Sequence, residues 1–183
     1  IELNYLGIHN VLAIRGDETN YKKSMANNRT ANIYAEDLVR QIGELKEGHY
    51  LEHVTNAAKL DFCVGVGAYP EKHFEAPNLK TDIQYLKQKI EAGAEYIVSQ
   101  MFFDNDKFFS FVEACRGAGI TAPIVPGLKL LKSTKQLTTL PKNFYVDLPD
   151  ELVDEVMANP EHVKEIGFNW AYKQCEDLLN RGS

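Results

Sequence analysis

Cysteine is scarce in this 183-residue chain: Cys63, Cys115 and Cys175 are the whole complement, and no two form a CxxC pair. An odd, scattered set makes no disulfide framework, and without paired-histidine spacing it makes no zinc site either. Free, buried thiols in a reducing cytoplasm are the expected state. Positive charge is also short. The chain has 20 Lys and Arg against 26 Asp and Glu, a net charge of −6, which argues against nucleic acid or an anionic membrane surface as the main partner. No apolar run approaches the roughly 20 residues of a membrane-crossing helix, and no signal peptide is visible. The chain lacks a Walker loop, a GxGxxG after a strand and a nucleophile–base pair at convincing spacing, so the usual signs of hydrolysis and P-loop chemistry are missing.

What is present is a βα alternation. A hydrophobic content of 44% and a charged content of 25% are ordinary for a globular chain of one domain. Three times a Gly that suits the left-handed end of a helix precedes an apolar strand: Gly7 before Asn10–Ile14, Gly93 before Tyr96–Ser99, Gly119 before Pro123–Val125. Phe62–Ala68 reads as a fourth strand. All four are apolar almost throughout, as parallel strands covered on both faces are. Helical spacing runs over Tyr34–Leu45, Lys80–Ala92 and Lys107–Ala118, then Thr134–Leu140, Pro149–Ala158 and Pro160–Leu179. Residues 18–32 read as a long polar βα loop. Four strands suffice for an open doubly wound sheet, whereas eight close a barrel. The chain opens in mid-pattern at Ile1, as a piece of something longer would.

Polar residues gather at the strand ends. Arg15-Gly16-Asp17 follows the first strand, and taken alone it could equally be a solvated turn. After the second strand, Tyr69, Glu71, His73, Glu75, Ala76 and Asp82 crowd into one stretch, too dense in special side chains for a plain connection. The third strand ends at Gln100, which carries a donor and an acceptor suited to the edge of a heterocycle. Phe102 and Phe103 beside it read as packing, and Asp104 as a helix N-cap. Lys87, Lys89 and Gln136 pass individually for solvated helical residues. A mouth lined by amides, carboxylates and aromatics at the C-terminal ends of parallel strands suits a planar heterocycle in an α/β barrel. A barrel lyase or aldolase using Asp17 and His73 with a metal is a weaker alternative.

These runs carry a resemblance. Arg15-Gly16-Asp17, Tyr34-Ala35 with Asp37-Leu38-Val39, GAYPEKHFEAP from Gly67, Asp82 with Leu86–Asp104, and PIVPGL from Pro123 occur in order over most of the chain. Together they resemble methylenetetrahydrofolate reductase of the FAD-dependent, bacterial type. The resemblance implies a (β/α)8 TIM barrel, of which residues 1–183 cover the central and C-terminal part, with earlier strands (and their Glu general acid) and the last strand outside it. It implies a cytoplasmic homo-oligomer without nucleic-acid, membrane or metal partners. The implied activity is ping-pong reduction of 5,10-methylenetetrahydrofolate to 5-methyltetrahydrofolate by NADH or NADPH through FAD; an inactive fragment serving as a flavin-binding or packing module is the alternative. Arg15, Gly16, Asp17, Tyr34, Ala35, Tyr69, His73, Ala76, Asp82 and Lys89 match cofactor-binding positions. Gln100 and Gln136 match substrate-binding positions, and Asp17 and Gln100 the catalytic ones. Tyr85 and Gln88 stand where some relatives have Asn and Arg.

Overall fold

The four apolar segments pair as one all-parallel sheet in the order β1-β2-β3-β4, in a computed structural model that describes residues 1–15 and 32–182. β1 is Asn10–Ala13, β2 Cys63–Ala68, β3 Tyr96–Met101 and β4 Ile124–Gly127. The register sets Ala13 beside Val66, Ala68 beside Ser99 and Ile97 beside Ile124, with an irregularity between Val98 and Met101. Each strand lies beside its sequence neighbour, without the order reversal of a doubly wound sheet, so the sheet is an arc of β/α-barrel wall.

Helices α2 (Ala35–Lys46), α3 (Leu79–Glu91) and α4 (Asn105–Gly117) follow β1, β2 and β3. Their starts are specified locally. The Asp37 carboxylate accepts the N–H groups of Ile33 and Tyr34, Asn78 accepts from Thr81 N–H, and Asp104 accepts from Asp106 N–H as expected. Gly7, Gly93 and Gly119 all have positive φ, as their positions between helix and strand required. Gly7 follows a one-turn helix, α1 (Glu2–Tyr5), that has no start signal in the sequence.

Strand alternation divides the sheet into two faces. Val64, Val66, Ala68 and Ile97 point outward into a core with Val39, Ile83, Leu86, Phe111 and Cys115 from the helices. Each large side chain buried there contributes roughly 1.5–3 kcal/mol. Gly65, Gly67, Tyr96, Val98 and Gln100 lie on the other face. A second core forms beyond β4, from α5 (Gln136–Phe144), α6 (Asp150–Ala158) and α7 (Val163–Arg181) with Phe103, Leu131 and Val146. The single helix expected over Pro160–Leu179 is divided: Pro160–His162 make a 3-10 turn, and α7 runs two residues further than expected. Trp170 Nε1 donates to Phe103 O at 3.0 Å and Gln174 Nε2 to Phe102 O at 3.2 Å, which ties α7 to the end of β3. All three thiols are free, but burial of all three is corrected: Cys115 is buried, Cys63 half-buried and Cys175 exposed on α7.

Candidate functional site

β1 and β2 deliver most of the expected residues to one place at their C-terminal ends. Arg15 leaves β1 and donates through Nη2 to Glu75 Oε2 at 2.5 Å, and its guanidinium lies 5.8 Å from the centre of the Tyr34 ring. Tyr34 is the N-cap of α2 and Ala35 its first residue. The loop after β2 is bound to the first turn of α3, where Asp82 Oδ2 accepts His73 N–H at 2.7 Å. Within that loop Ala76 N–H donates to His73 O at 3.0 Å, which draws the chain into a turn that leaves Ala76 4% exposed. The Tyr69 and His73 rings meet edge to face at 4.5 Å. Arg15, Tyr34, Ala35, Tyr69, His73, Ala76 and Asp82 thus belong to one constellation. Gly16 and Asp17, and the expected loop over 18–32 apart from Asn32, lie outside the described residues.

Lys89 joins them, which corrects its appearance as a solvated charge. It sits on α3 one face away from water, half-buried, and donates to Gly67 O at 3.1 Å. Burial pulls its pKa below the ordinary 10.5, with Arg15 pushing the same way and Asp82 opposing. Lys87, two residues earlier, is exposed as expected. His73 is also shifted down, from 6.5, by burial foremost, while Asp82 and Glu75 pull it up. Its Nδ1 accepts Glu75 N–H at 3.2 Å, which requires an unprotonated nitrogen there and places the ring proton on Nε2.

The two glutamines stand apart from this cluster. Gln100 lies within β3 on the same sheet face as Gly67, which pairs with Val98, two residues before it. Its Oε1 accepts Met101 N–H at 2.9 Å, so the amide NH2 is the end that faces outward from that bond. Gln136 opens α5 and spends its Oε1 on Lys132 and Ser133 N–H groups, at 2.6 and 3.1 Å. A helical position that passes for solvent-exposed is half-buried and organises the turn before its own helix.

Two residues matter here that sequence reasoning did not single out for their role. Gly67 has nothing within 4 Å of where a Cβ would stand, so open space lies over the strand beside Lys89's anchor. Glu71, noted only as part of a polar loop, has a side chain just 10% exposed and binds Lys107 and Asp147; burial raises its pKa above 4.5. The only hint was a carboxylate immediately after Tyr69-Pro70. A cleft of about 560 Å³ lies nearby, lined by Asp104, Lys107, Leu137, Val146 and Asp147, and a smaller one of about 220 Å³ is lined by Gln41 and His49. The strand-end candidates line neither, because the sheet face they border is partly open rather than enclosed.

The constellation brings together groups that could hold a phosphate-bearing ligand with a planar ring. It contains two cations, one of them half-buried against its own pKa, a neutral imidazole, tyrosine rings, and a glycine with free space above it. Cations could meet phosphates, and rings and bare backbone could meet a planar heterocycle. Among the described residues no group of three or more His, Cys, Asp or Glu side chains could hold a metal ion, and no helix is long and apolar enough to cross a membrane.

Known proteins match this chain along nearly its whole length. Methylenetetrahydrofolate reductase 2 of Saccharomyces cerevisiae is 33% identical over 181 residues, covering 96% of this chain and 28% of the yeast protein. Methylenetetrahydrofolate reductase (NADH) 1 of Arabidopsis thaliana is 35% identical over 188 residues, covering 96% and 30%. The probable methylenetetrahydrofolate reductase (NADPH) of Caenorhabditis elegans is 30% identical over 181 residues, covering 97% and 25%. The chain therefore spans between a quarter and a third of the length of these relatives. A solved structure of an uncharacterized Clostridium thermocellum protein that binds 5-methyl-5,6,7,8-tetrahydrofolic acid overlaps 67% of this chain and 44% of its own, at 20% identity and a TM-score of 0.46, too slight a likeness to build on. The family profile described as methylenetetrahydrofolate reductase matches residues 2–183, and this chain belongs to that family.

Proposed function

We propose that this chain supplies the cofactor-binding strand ends of an enzyme that reduces 5,10-methylenetetrahydrofolate with NADH or NADPH. The observation that carries this is the meeting of Arg15, Tyr34, His73, Asp82 and Lys89, distant in sequence, at one edge of the sheet. Bound FAD would supply hydride relay between the nicotinamide nucleotide and the folate, yielding 5-methyltetrahydrofolate.

The residues divide that work. Lys89 and Arg15 hold the phosphates; a half-buried ammonium with a depressed pKa regains its charge stabilisation when an anion arrives. His73, neutral with its proton on Nε2, donates one hydrogen bond to the ligand. Asp82, a cofactor-binding position by the resemblance, also fixes the His73 backbone and offsets the Lys89 charge. Tyr69 and Tyr34 present ring faces, and Ala76 keeps the turn small. On the inner face, the Gln100 amide is the group that reads the folate or the nicotinamide; the resemblance adds Gln136 as a further folate contact and gives Asp17 the part of a carboxylate that acts on the reacting ring. A carboxylate there favours the cationic iminium form of the substrate by charge attraction. The free thiols agree with a reducing cytoplasm, and we include self-association in the proposal on the resemblance alone. The relatives' names contain both NADH and NADPH, so either reductant belongs to the proposal.

The test is flavin uptake. Protein carrying this chain, mixed with FAD and desalted, should retain flavin absorbance that NADH or NADPH bleaches and methylenetetrahydrofolate restores. Protein that emerges colourless after saturation with FAD would sink the reading.

A further inference from the structure

One small segment of the second core touches the cofactor loop twice, by different chemistry. Val146 is buried in that core, and its neighbours Tyr145 and Asp147 face the loop that leaves β2. Glu71 Oε2 accepts Asp147 N–H at 2.8 Å and the Lys107 ammonium at 3.3 Å, and Lys107 continues to the Asp147 carboxylate at 2.5 Å. Three residues along, the Phe74 ring stacks on Tyr145, with centroids 5.0 Å apart and planes 19° from parallel, while lying 4.6 Å from the His73 ring.

Neither contact is built for stability. Glu71 Oε1 is buried without a hydrogen-bond partner, and a buried carboxylate with an unmet oxygen costs the fold. Tyr145 ends α5 at φ 55°, ψ 39°, in the left-handed region where glycine is the usual residue. Phe74 and Tyr145 leave 50% and 57% of their surface in water, so apolar burial accounts for little of the pairing. Two unfavourable features converge on one loop, and that loop holds His73.

We propose that Glu71, Phe74 and Tyr145 are positioning residues that clamp the Tyr69–Ala76 loop to residues 145–147, holding the His73 ring and the Ala76 turn in place for the cofactor. The inference rests on the flavin reading and deepens it: the second core, which bears none of the cofactor-binding candidates, sets their geometry.

Tyr145→Gly separates positioning from stability, since it removes the ring and relieves the backbone at once. Its thermal midpoint should equal or exceed that of the parent. In flavin-free protein the amides of His73, Glu75 and Ala76 should exchange hydrogen faster, and the Kd for FAD should rise about tenfold, the loss of one modest contact. Glu71→Ala should weaken FAD to a similar degree, and Glu71→Gln should recover most of that loss, because an amide oxygen still accepts Asp147 N–H. Parent protein that fails to bind FAD would defeat the functional reading, and the flavin-free exchange rates would then decide the clamp by themselves. Unchanged exchange in Tyr145→Gly overturns the clamp. So does FAD affinity equal to the parent's in both Tyr145→Gly and Glu71→Ala, or affinity that falls only in proportion to stability.

Discussion

β2 has two glycines on one face, and the structure predicts opposite outcomes for filling them. A Cβ on Gly65 would stand 2.2 Å from Tyr96 Cζ and 2.3 Å from Cε2, whereas one on Gly67 meets nothing within 4 Å. Tyr96 lies across Gly65 because its hydroxyl reaches over β2 to donate to Val11 O, at 3.1 Å, on β1. Carbon atoms rest about 3.5–4.0 Å apart, so Gly65→Ala must move the ring by more than an ångström and break that bond. Overpacking costs about 1–3 kcal/mol and the hydrogen bond about 0.5–1.5 kcal/mol, which together make about 1.5–4.5 kcal/mol. At about 2–4 °C per kcal/mol for a chain of this size the midpoint falls by about 3–18 °C. Gly67→Ala should instead gain about 0.5 kcal/mol from lost chain entropy, yet it should weaken FAD if the space above it is the ligand's. Urea unfolding followed by far-ultraviolet circular dichroism measures the first pair of values, and a fluorescence titration the last. The clash belongs to Tyr96, so in a Tyr96→Ala background the cost of Gly65→Ala should nearly vanish. Gly65→Ala within 0.5 kcal/mol of the parent would refute the geometry, as would a cost that persists without the tyrosine.

Other outcomes follow from the same structure. Lys89→Met should leave stability unchanged or raise it, since a half-buried ammonium is removed, while weakening FAD about tenfold or more through loss of a charge-assisted bond; equal FAD affinity in a titration would remove Lys89 from the site. His73 has a folded pKa below its ordinary 6.5, so the unfolded chain binds more protons in that window. Stability should be full above about pH 6.5 and be lost as pH falls through the lower folded value. Denaturation free energies between pH 7.5 and 5.5 (a window of about one unit either side of the ordinary value) should slope less in His73→Gln, and equal slopes would count against a neutral native ring. Gly167 sits in α7, where propensity alone favours alanine. Its Cβ would, however, stand 2.1 Å from Leu131 O, so Gly167→Ala should destabilise by about 1–3 kcal/mol, read from the urea midpoint; a stabilised variant would mean that α7 packs elsewhere.

Much of the architecture was legible residue by residue. A strand face covered by helices is apolar at every second residue, and Val64, Val66 and Ile97 announce this locally. Gly93 and Gly119 mark helix ends because few other residues take positive φ. Asp104 reads as a cap because its neighbours require one. The crowding of Tyr69, His73 and Asp82 is visible for the same reason: the residues are close in sequence. The division of Pro160–Leu179 was not visible, since Pro160 opens a 3-10 turn as readily as an α-helix.

The amino-acid pattern, then, determined the alternation of strands and helices, the polar strand ends, and through its motifs the family. Burial periodicity and turn chemistry act over a few residues, so they are written in order along the chain. Tertiary structure alone decided which way Lys89 turns, why Gly65 must lack a side chain while Gly67 need not, and that Glu71 is tied to Asp147, 76 residues away. Patterning records that a face is covered but never by what. The partner, its distance and the resulting shift in charge exist only once β2, α4 and the second core have packed together.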